Sequence, residues 1–150
     1  MFDALFTTTT EYKKLSHALS GKGACALFGL PASGRAQVYA ALCRQLDKPL
    51  CIVTPGEAEA TRFAADLNTL GIPAAVFPAR DYVLRPIEGT AREYEYRRLA
   101  VLGELVGGRL CAVAVPAEAL TQFTTPKEDF CANTRTLHAG DTLLRDDLLA

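Results

Sequence analysis

The chain has 150 residues, 49% of them apolar, which is enough to bury a hydrophobic core in one globular domain. Sixteen basic and seventeen acidic residues leave a formal net charge of −1. This balance gives no basic footprint of the kind that wraps nucleic acid or coats an anionic membrane. The composition therefore favours an ordinary globular protein.

Cysteine and histidine usage argues against disulfides and metals. The five cysteines are odd in number and none form a Cys-x-x-Cys pair, so we expect a reduced, cytoplasmic protein. Cys25, Cys51 and Cys111 lie in apolar runs, where cysteine behaves as a small hydrophobe. His17 and His138 have no companion ligands at metal spacing, so no metal is expected. A secretory signal and a membrane-spanning run are both missing from the sequence, which predicts a soluble protein.

Apolar periodicity predicts strands and helices that alternate along the chain. Threonines at 7–10 offer hydroxyls that cap a first helix over 11–19, and Gly71 is predicted to end the helix that follows the second strand. The predicted strands are short apolar runs at 24–28, 50–53, 74–77 and 110–115. One predicted helix follows the glycine loop and ends at Leu46, and a second covers 60–70. A third runs from a Thr90–Glu93 capping box to Val106, and a short fourth runs from Pro116 to Leu120.

This alternation predicts an α/β fold, with a parallel sheet covered by helices on both faces. The last thirty residues differ, because Pro126 reads as a boundary and 134–137 as a further strand. A helical pattern begins at Asp141 and runs to Ala150 without a stop signal. We interpret the chain as a fragment of a longer polypeptide; the alternative is a natural helix that frays at its C-terminus.

The most informative motif is an incomplete phosphate-binding loop at 29–36, with the sequence Gly-Leu-Pro-Ala-Ser-Gly-Arg-Ala. The template is Gly, four residues, Gly, Lys, then Ser or Thr, between a strand and a helix. Gly29 and Gly34 have the right spacing, but Arg35 replaces the lysine and Ala36 replaces the hydroxyl that would hold magnesium. We expect no productive nucleotide site and no cofactor, although weak anion binding at the helix start stays open.

A second charged region lies on the helix predicted before Val106. Glu93 and Arg97 form an i, i+4 pair, which is typical of a solvated helix face. Arg98 instead falls on the apolar side of that helix, which predicts a partly buried structural salt bridge. No catalytic triad can be assembled from the two histidines, so no catalytic residue is predicted.

Several segments, taken in order, resemble the N-terminal part of the bacterial transcription-repair coupling factors, Mfd. The resemblance covers nearly the whole chain. The segments are the loop at 29–36, the strand at 50–54 with its helix, Val-Phe-Pro-Ala-Arg-Asp at 76–81, Glu-Tyr-Arg-Arg-Leu at 95–99, Val-Pro-Ala-Glu-Ala-Leu at 115–120, and 137–148.

The resemblance implies a RecA-like fold related to the damage-recognition protein UvrB, with a degenerate nucleotide site. It implies a UvrB-like domain over 1–125 and, over 126–150, a boundary and the start of a small domain. The implied role is to help recruit UvrA in nucleotide excision repair. RNA polymerase binding, DNA contact and the ATP-driven translocase would belong to later domains, and so would most of the UvrA-contacting surface, so no contact residue is assigned here.

UvrB itself has an intact phosphate loop and an aromatic β-hairpin that grips DNA. This chain lacks that loop, and its irregular stretch at 79–89 is too short for the hairpin, which argues for the Mfd resemblance and against direct damage binding. The leading hypothesis is a non-catalytic scaffold. The alternatives are a small nucleotide-binding enzyme or sensor that tolerates Arg35, and a DNA-binding helicase fragment, which the charge balance disfavours.

Overall fold

The structure is a computed structural model that describes residues 7–21, 24–46, 48–80 and 92–142. Within these ranges, helices alternate with short parallel strands. The helices are α1 Thr10–Ser20, α2 Ala32–Gln45, α3 Glu57–Thr69, α4 Glu93–Val106, α5 Ala117–Leu120 and α6 Lys127–Ala132, and the strands are β1 Leu50–Thr54, β2 Ala74–Val76 and β3 Ala112–Pro116.

The described strands form one parallel sheet in the order β1-β3-β2. Ile52 of β1 and Val76 of β2 both lie opposite Ala114, so β3 pairs on both sides. All five residues of β3 are buried. A parallel strand enclosed in this way is expected to be apolar along its whole length, as β3 is.

Successive residues of the strands face two separate cores. Ile52, Ala112 and Ala114 pack with α2 and α3 on one face, in a cluster that includes the completely buried Leu67. Val113 and Val115 point to the opposite face and pack with α4. Helices therefore cover both faces, and the α/β prediction is confirmed.

Helix α1 is attached to the molecule through α2. Tyr12 is buried against Val38 and Leu42, and its hydroxyl donates to Gln45 Oε1 at 3.0 Å. The Thr9 hydroxyl accepts from the Tyr12 backbone N–H at 3.3 Å, which confirms the predicted threonine cap.

Most local predictions for the middle of the chain are confirmed. Gly71 has a φ of 75° just after α3, as its predicted role as a left-handed terminator requires. Helix α4 ends at Val106, before Gly107, and Pro116 directly precedes α5. These boundaries depend on glycine and proline chemistry, which acts within a few residues.

Two strand predictions are wrong. Residues 24–28 lie outside the sheet and are exposed, with Phe28 88% accessible and Cys25 exposed as well. Residues 134–137 are also exposed and form no strand. The apolar run at 24–28 and the threonine-rich pattern at 134–137 both favour a strand, but a strand needs a paired neighbour, and the described residues provide none there.

Other predictions fall partly or wholly outside the described residues. Thr90 of the predicted capping box lies there, and the described helix starts at Glu93 with Arg92 in the cap position. Nearly all of the predicted helix at 141–150 also lies outside. Helix α6 follows Pro126 and has no buried residue. The division at residue 126 stays a prediction.

Candidate functional site

The glycine loop turns the chain into α2 but follows a different course from the template. Gly29 has a φ of 81°, a conformation that a residue with a Cβ rarely adopts. Helix α2 already begins at Ala32, with Pro31 as its N-cap. The helix thus starts before the second glycine of the motif, which lies inside its first turn.

This early start changes which backbone amides are available to an anion. The Arg35 N–H donates to the Pro31 carbonyl at 3.1 Å, so it is used within the helix. In a helix that starts at Ala32, the amides without an intrahelical acceptor belong to residues 32–34. Pro31 has no N–H to contribute. The helix dipole and this short set of amides remain, without the longer cradle of a working loop.

The two side chains that depart from the template take structural positions. The Arg35 guanidinium lies 3.9 Å from Glu59 Oε1 on α3, and both groups are partly exposed. Glu59 also lies 3.7 Å from Arg62, so two cations share it. Ala36 is only 3% exposed, which leaves little room for the larger hydroxyl residue of the template. The expectation that this loop binds no nucleotide productively stays a prediction.

The surroundings of the loop are apolar. A recess of about 260 Å³ lies between α1 and the start of α2. Its walls include Tyr12, Leu15, Leu27, Leu30 and Val38, with Gly34 at the loop side. The polar residues of the lining are Thr9, Glu11 and Gln37, so phosphate would find mainly apolar side chains and few donors in this recess.

A different cluster, which the sequence did not reveal as a unit, lies beyond the carboxyl ends of β2 and β3. Arg98 of α4 is 8% exposed, and its guanidinium carbon lies 4.1 Å from the centre of the Phe77 ring. Arg98 Nη1 donates to the Pro78 carbonyl at 2.8 Å, and Nη2 donates to the Thr124 hydroxyl at 3.1 Å. The predicted burial of Arg98 is confirmed.

The predicted salt bridge of Arg98 is wrong, because its described partners are neutral oxygens. Gln122 Oε1 accepts from Arg98 Nη1 at 3.1 Å and from the Arg80 backbone N–H at 2.7 Å. Gln122 Nε2 donates to the Arg80 carbonyl at 2.9 Å. Arg98 and Gln122 therefore fasten three segments together, and we call this pair with its hydrogen bonds the Arg98–Gln122 clamp.

The clamp forms one wall of an open groove of about 450 Å³. Arg80 lies in this groove and pairs with Glu95 at 2.7 Å. Leu99 and Phe123, which are 46% and 89% exposed, supply apolar surface. Burial lowers the pKa of Arg98, and the positive charge of Arg80 lowers it further. Nearby, Glu93 and Arg97 form the expected exposed pair.

Two cysteines of the described chain, Cys43 and Cys51, have raised pKa values. Cys43 is buried and donates from Sγ to the Cys111 carbonyl at 3.4 Å. Burial and the nearby Cys111 raise the pKa of the Cys43 thiol to about 11, which disfavours the nucleophilic thiolate. Burial also raises the pKa of Cys51.

The described residues offer neither a metal-binding cluster nor a membrane-spanning helix. These residues contain no group of three or more histidine, cysteine or acidic side chains that could hold a metal ion. Among the described helices, none is long and apolar enough to cross a membrane.

Comparison with known proteins finds a distant similarity. Over 124 residues the chain is 25% identical to the transcription-repair-coupling factor of Bacillus subtilis. The match covers 81% of this chain and 10% of that protein, so the chain spans about a tenth of its relative. No protein-family model matches the chain, and no solved structure matches it. The similarity indicates a distant relation to the transcription-repair coupling factors.

Proposed function

We propose that this chain is a non-catalytic, UvrB-like module of a transcription-repair coupling factor. The observation that carries the proposal is the similarity to the Bacillus subtilis factor, which extends over 81% of the chain. The parallel β1-β3-β2 sheet with helices on both faces is consistent with the RecA-like fold that such a module would have.

The geometry of the glycine loop supports the non-catalytic part of the proposal. The Arg35 amide is engaged with Pro31, its guanidinium lies near Glu59, and Ala36 is buried. Phosphoryl transfer depends on a lysine-type cation and a magnesium-holding hydroxyl, and this loop has neither. Under the proposal, the loop still directs the backbone into α2 but no longer supports phosphoryl transfer.

The proposed role is to help recruit UvrA to stalled RNA polymerase in the cytoplasm, and to pack against the rest of a longer protein. Contacts with RNA polymerase and DNA, and the ATP-dependent motor, would belong to domains outside this chain. The near-neutral net charge of −1 supports this division, because phosphate-dominated DNA binding requires clustered cations.

A test of the partner role is to measure UvrA association, by interferometry, with this chain and with the longer polypeptide that the proposal implies. We expect the longer polypeptide to bind UvrA. We expect this chain to raise the affinity of the longer polypeptide for UvrA by packing against its other domains. If the longer polypeptide shows no association with UvrA, the recruitment role is wrong.

The second candidate is a nucleotide-binding enzyme or sensor, favoured by the surviving glycine turn and by the short set of amides at the start of α2. Calorimetry with ATP and ADP in the presence of magnesium separates the two candidates. We expect no heat of binding from the chain, or from an Arg35→Lys, Ala36→Ser variant, because the backbone course differs as well as the side chains. Micromolar, magnesium-dependent binding by the unaltered chain would establish the second candidate.

A further inference from the structure

Among its described lining residues, the groove beside the Arg98–Gln122 clamp carries more positive than negative charge. Arg80 and Arg98 line it with two guanidinium groups, and Glu95 supplies the one carboxylate among the described lining residues. Glu95 pairs with Arg80, and no ion pair of Arg98 lies within the described chain. A buried charge is ordinarily compensated by an opposite charge, and hydrogen bonds to neutral oxygens provide only part of that compensation.

The same groove displays an exposed aromatic ring on an anchored segment. Phe123 is 89% exposed, yet its carbonyl accepts from Arg98 Nη2 at 3.4 Å, and Gln122 and Thr124 on either side are also hydrogen-bonded. An aromatic side chain on an ordered backbone loses little conformational entropy when it is covered. Rings of this kind are frequent anchors of protein interfaces.

We infer that this groove binds an acidic segment of a protein partner. A carboxylate of the partner lies beside Arg80 and above Arg98, and a neighbouring apolar side chain packs on Phe123 and Leu99. Charge complementarity selects the carboxylate, and the exposed ring selects a partner with apolar groups next to it. A free inorganic anion would neutralise the guanidinium groups but would leave Phe123 uncovered.

Peptide binding at this groove involves only the groove residues and is independent of the proposed repair role. A failure to bind UvrA leaves it standing, and a failure of the groove leaves the repair role standing. The experiment below uses the 150-residue chain and a defined peptide, without UvrA.

The test is an NMR titration of the isotope-labelled chain with a capped peptide of alternating leucine and glutamate. The reference peptide has glutamine in place of every glutamate. We expect the acidic peptide to shift the amide signals of Leu99, Gln122, Phe123 and Thr124, with about tenfold weaker binding for the glutamine peptide. The variants are Arg80→Gln and Phe123→Ser, both at exposed side chains, so folding is preserved while binding weakens.

Arg97→Gln is the matched control, since Arg97 is an exposed arginine that pairs with a glutamate, as Arg80 does, and is not among the described residues that line the groove. This variant is expected to bind the acidic peptide as the unaltered chain does. Equal binding of the two peptides, or no shifts at the groove, would overturn the inference. A third titration uses inorganic phosphate alone, and phosphate shifts that match those of the peptide would overturn the peptide partner in favour of a simple anion site.

Discussion

The glycine loop and the Arg98–Gln122 clamp each contain an arginine, but the two arginines differ in burial and in hydrogen bonding. Arg35 is exposed at the surface of α2 and shares Glu59 with Arg62. Arg98 is buried on Phe77 and hydrogen-bonded to oxygens from two other segments, at Pro78 and at 122–124. The recognisable glycine motif therefore contains the weaker interaction, the exposed Arg35–Glu59 pair. The stronger interactions are the buried hydrogen bonds of Arg98, which no sequence motif marks.

The largest effect is expected from breaking the clamp. An Arg98→Ala variant leaves the Pro78 carbonyl without its Arg98 donor, removes one of the two donors to Gln122 Oε1 and removes the contact with Phe77. We expect the free energy of unfolding to fall by about 3 kcal/mol, as measured by urea denaturation.

Two further variants sharpen this prediction. Arg98→Lys retains the charge but cannot reproduce the planar set of donors, so it should still lose about 2 kcal/mol. Arg97→Ala removes an exposed arginine one residue away and should change stability by less than about 0.5 kcal/mol. Similar losses for Arg97→Ala and Arg98→Ala would contradict the clamp.

Alkaline pH is expected to lower the free energy of unfolding through the Cys43 thiol, which lies on α2 beyond the loop. Its pKa is raised to about 11 in the folded protein from an ordinary value of 9.0, so folding favours the protonated thiol. The stabilising contribution is complete below pH 9 and is lost as the pH rises through 11.

Urea denaturation at a series of pH values measures this contribution as a difference from a Cys43→Ala variant. We expect the unaltered chain to lose up to about 3 kcal/mol more than the variant over this interval. Parallel pH profiles of the two proteins would show that another group is responsible for the alkaline loss.

Exchanging the two loop glycines separately tests whether the loop behaves as a turn or as a phosphate cradle. Gly29→Ala places a Cβ at a φ of 81° and should destabilise the protein by about 1 kcal/mol. At Gly34 a Cβ would lie 3.2 Å from Pro31 Cδ, a tight contact that opposes the helix propensity of alanine.

We expect Gly34→Ala to be neutral within about 0.5 kcal/mol, because these two terms are similar in size. Thermal denaturation of the two variants measures the difference. A loop that needed close approach of its backbone to phosphate would require glycine at both positions for binding. A large loss of stability at Gly34 alone would mean that the described start of α2 is wrong.

The contrast between the two regions also explains what the sequence could and could not reveal. The helix end at Gly71 and the strand at β3 were predictable, because capping and apolar runs act locally. The partners of Arg98 lie 20 to 26 residues away, so its position on an apolar helix face indicated burial but not the acceptors. Residues 24–28 failed as a strand prediction for the same reason, since pairing depends on neighbours distant in sequence.

The smallest effect is expected at the ion pair between Arg35 and Glu59. Their 3.9 Å separation, their partial exposure and the competition from Arg62 leave a coupling of less than about 0.5 kcal/mol in a double-mutant cycle of Arg35→Gln and Glu59→Gln. That coupling should weaken further as salt is added.

Glu59→Gln on its own releases Arg35 beside the free amides of α2, so it is the variant most able to reveal a remaining anion site. If sulfate raises the melting temperature of Glu59→Gln but not that of Glu59→Gln combined with Arg35→Gln, the loop has kept an anion affinity that Glu59 suppresses. If sulfate affects both variants equally, Arg35 contributes nothing to anion binding, and the turn into α2 is what remains of the motif.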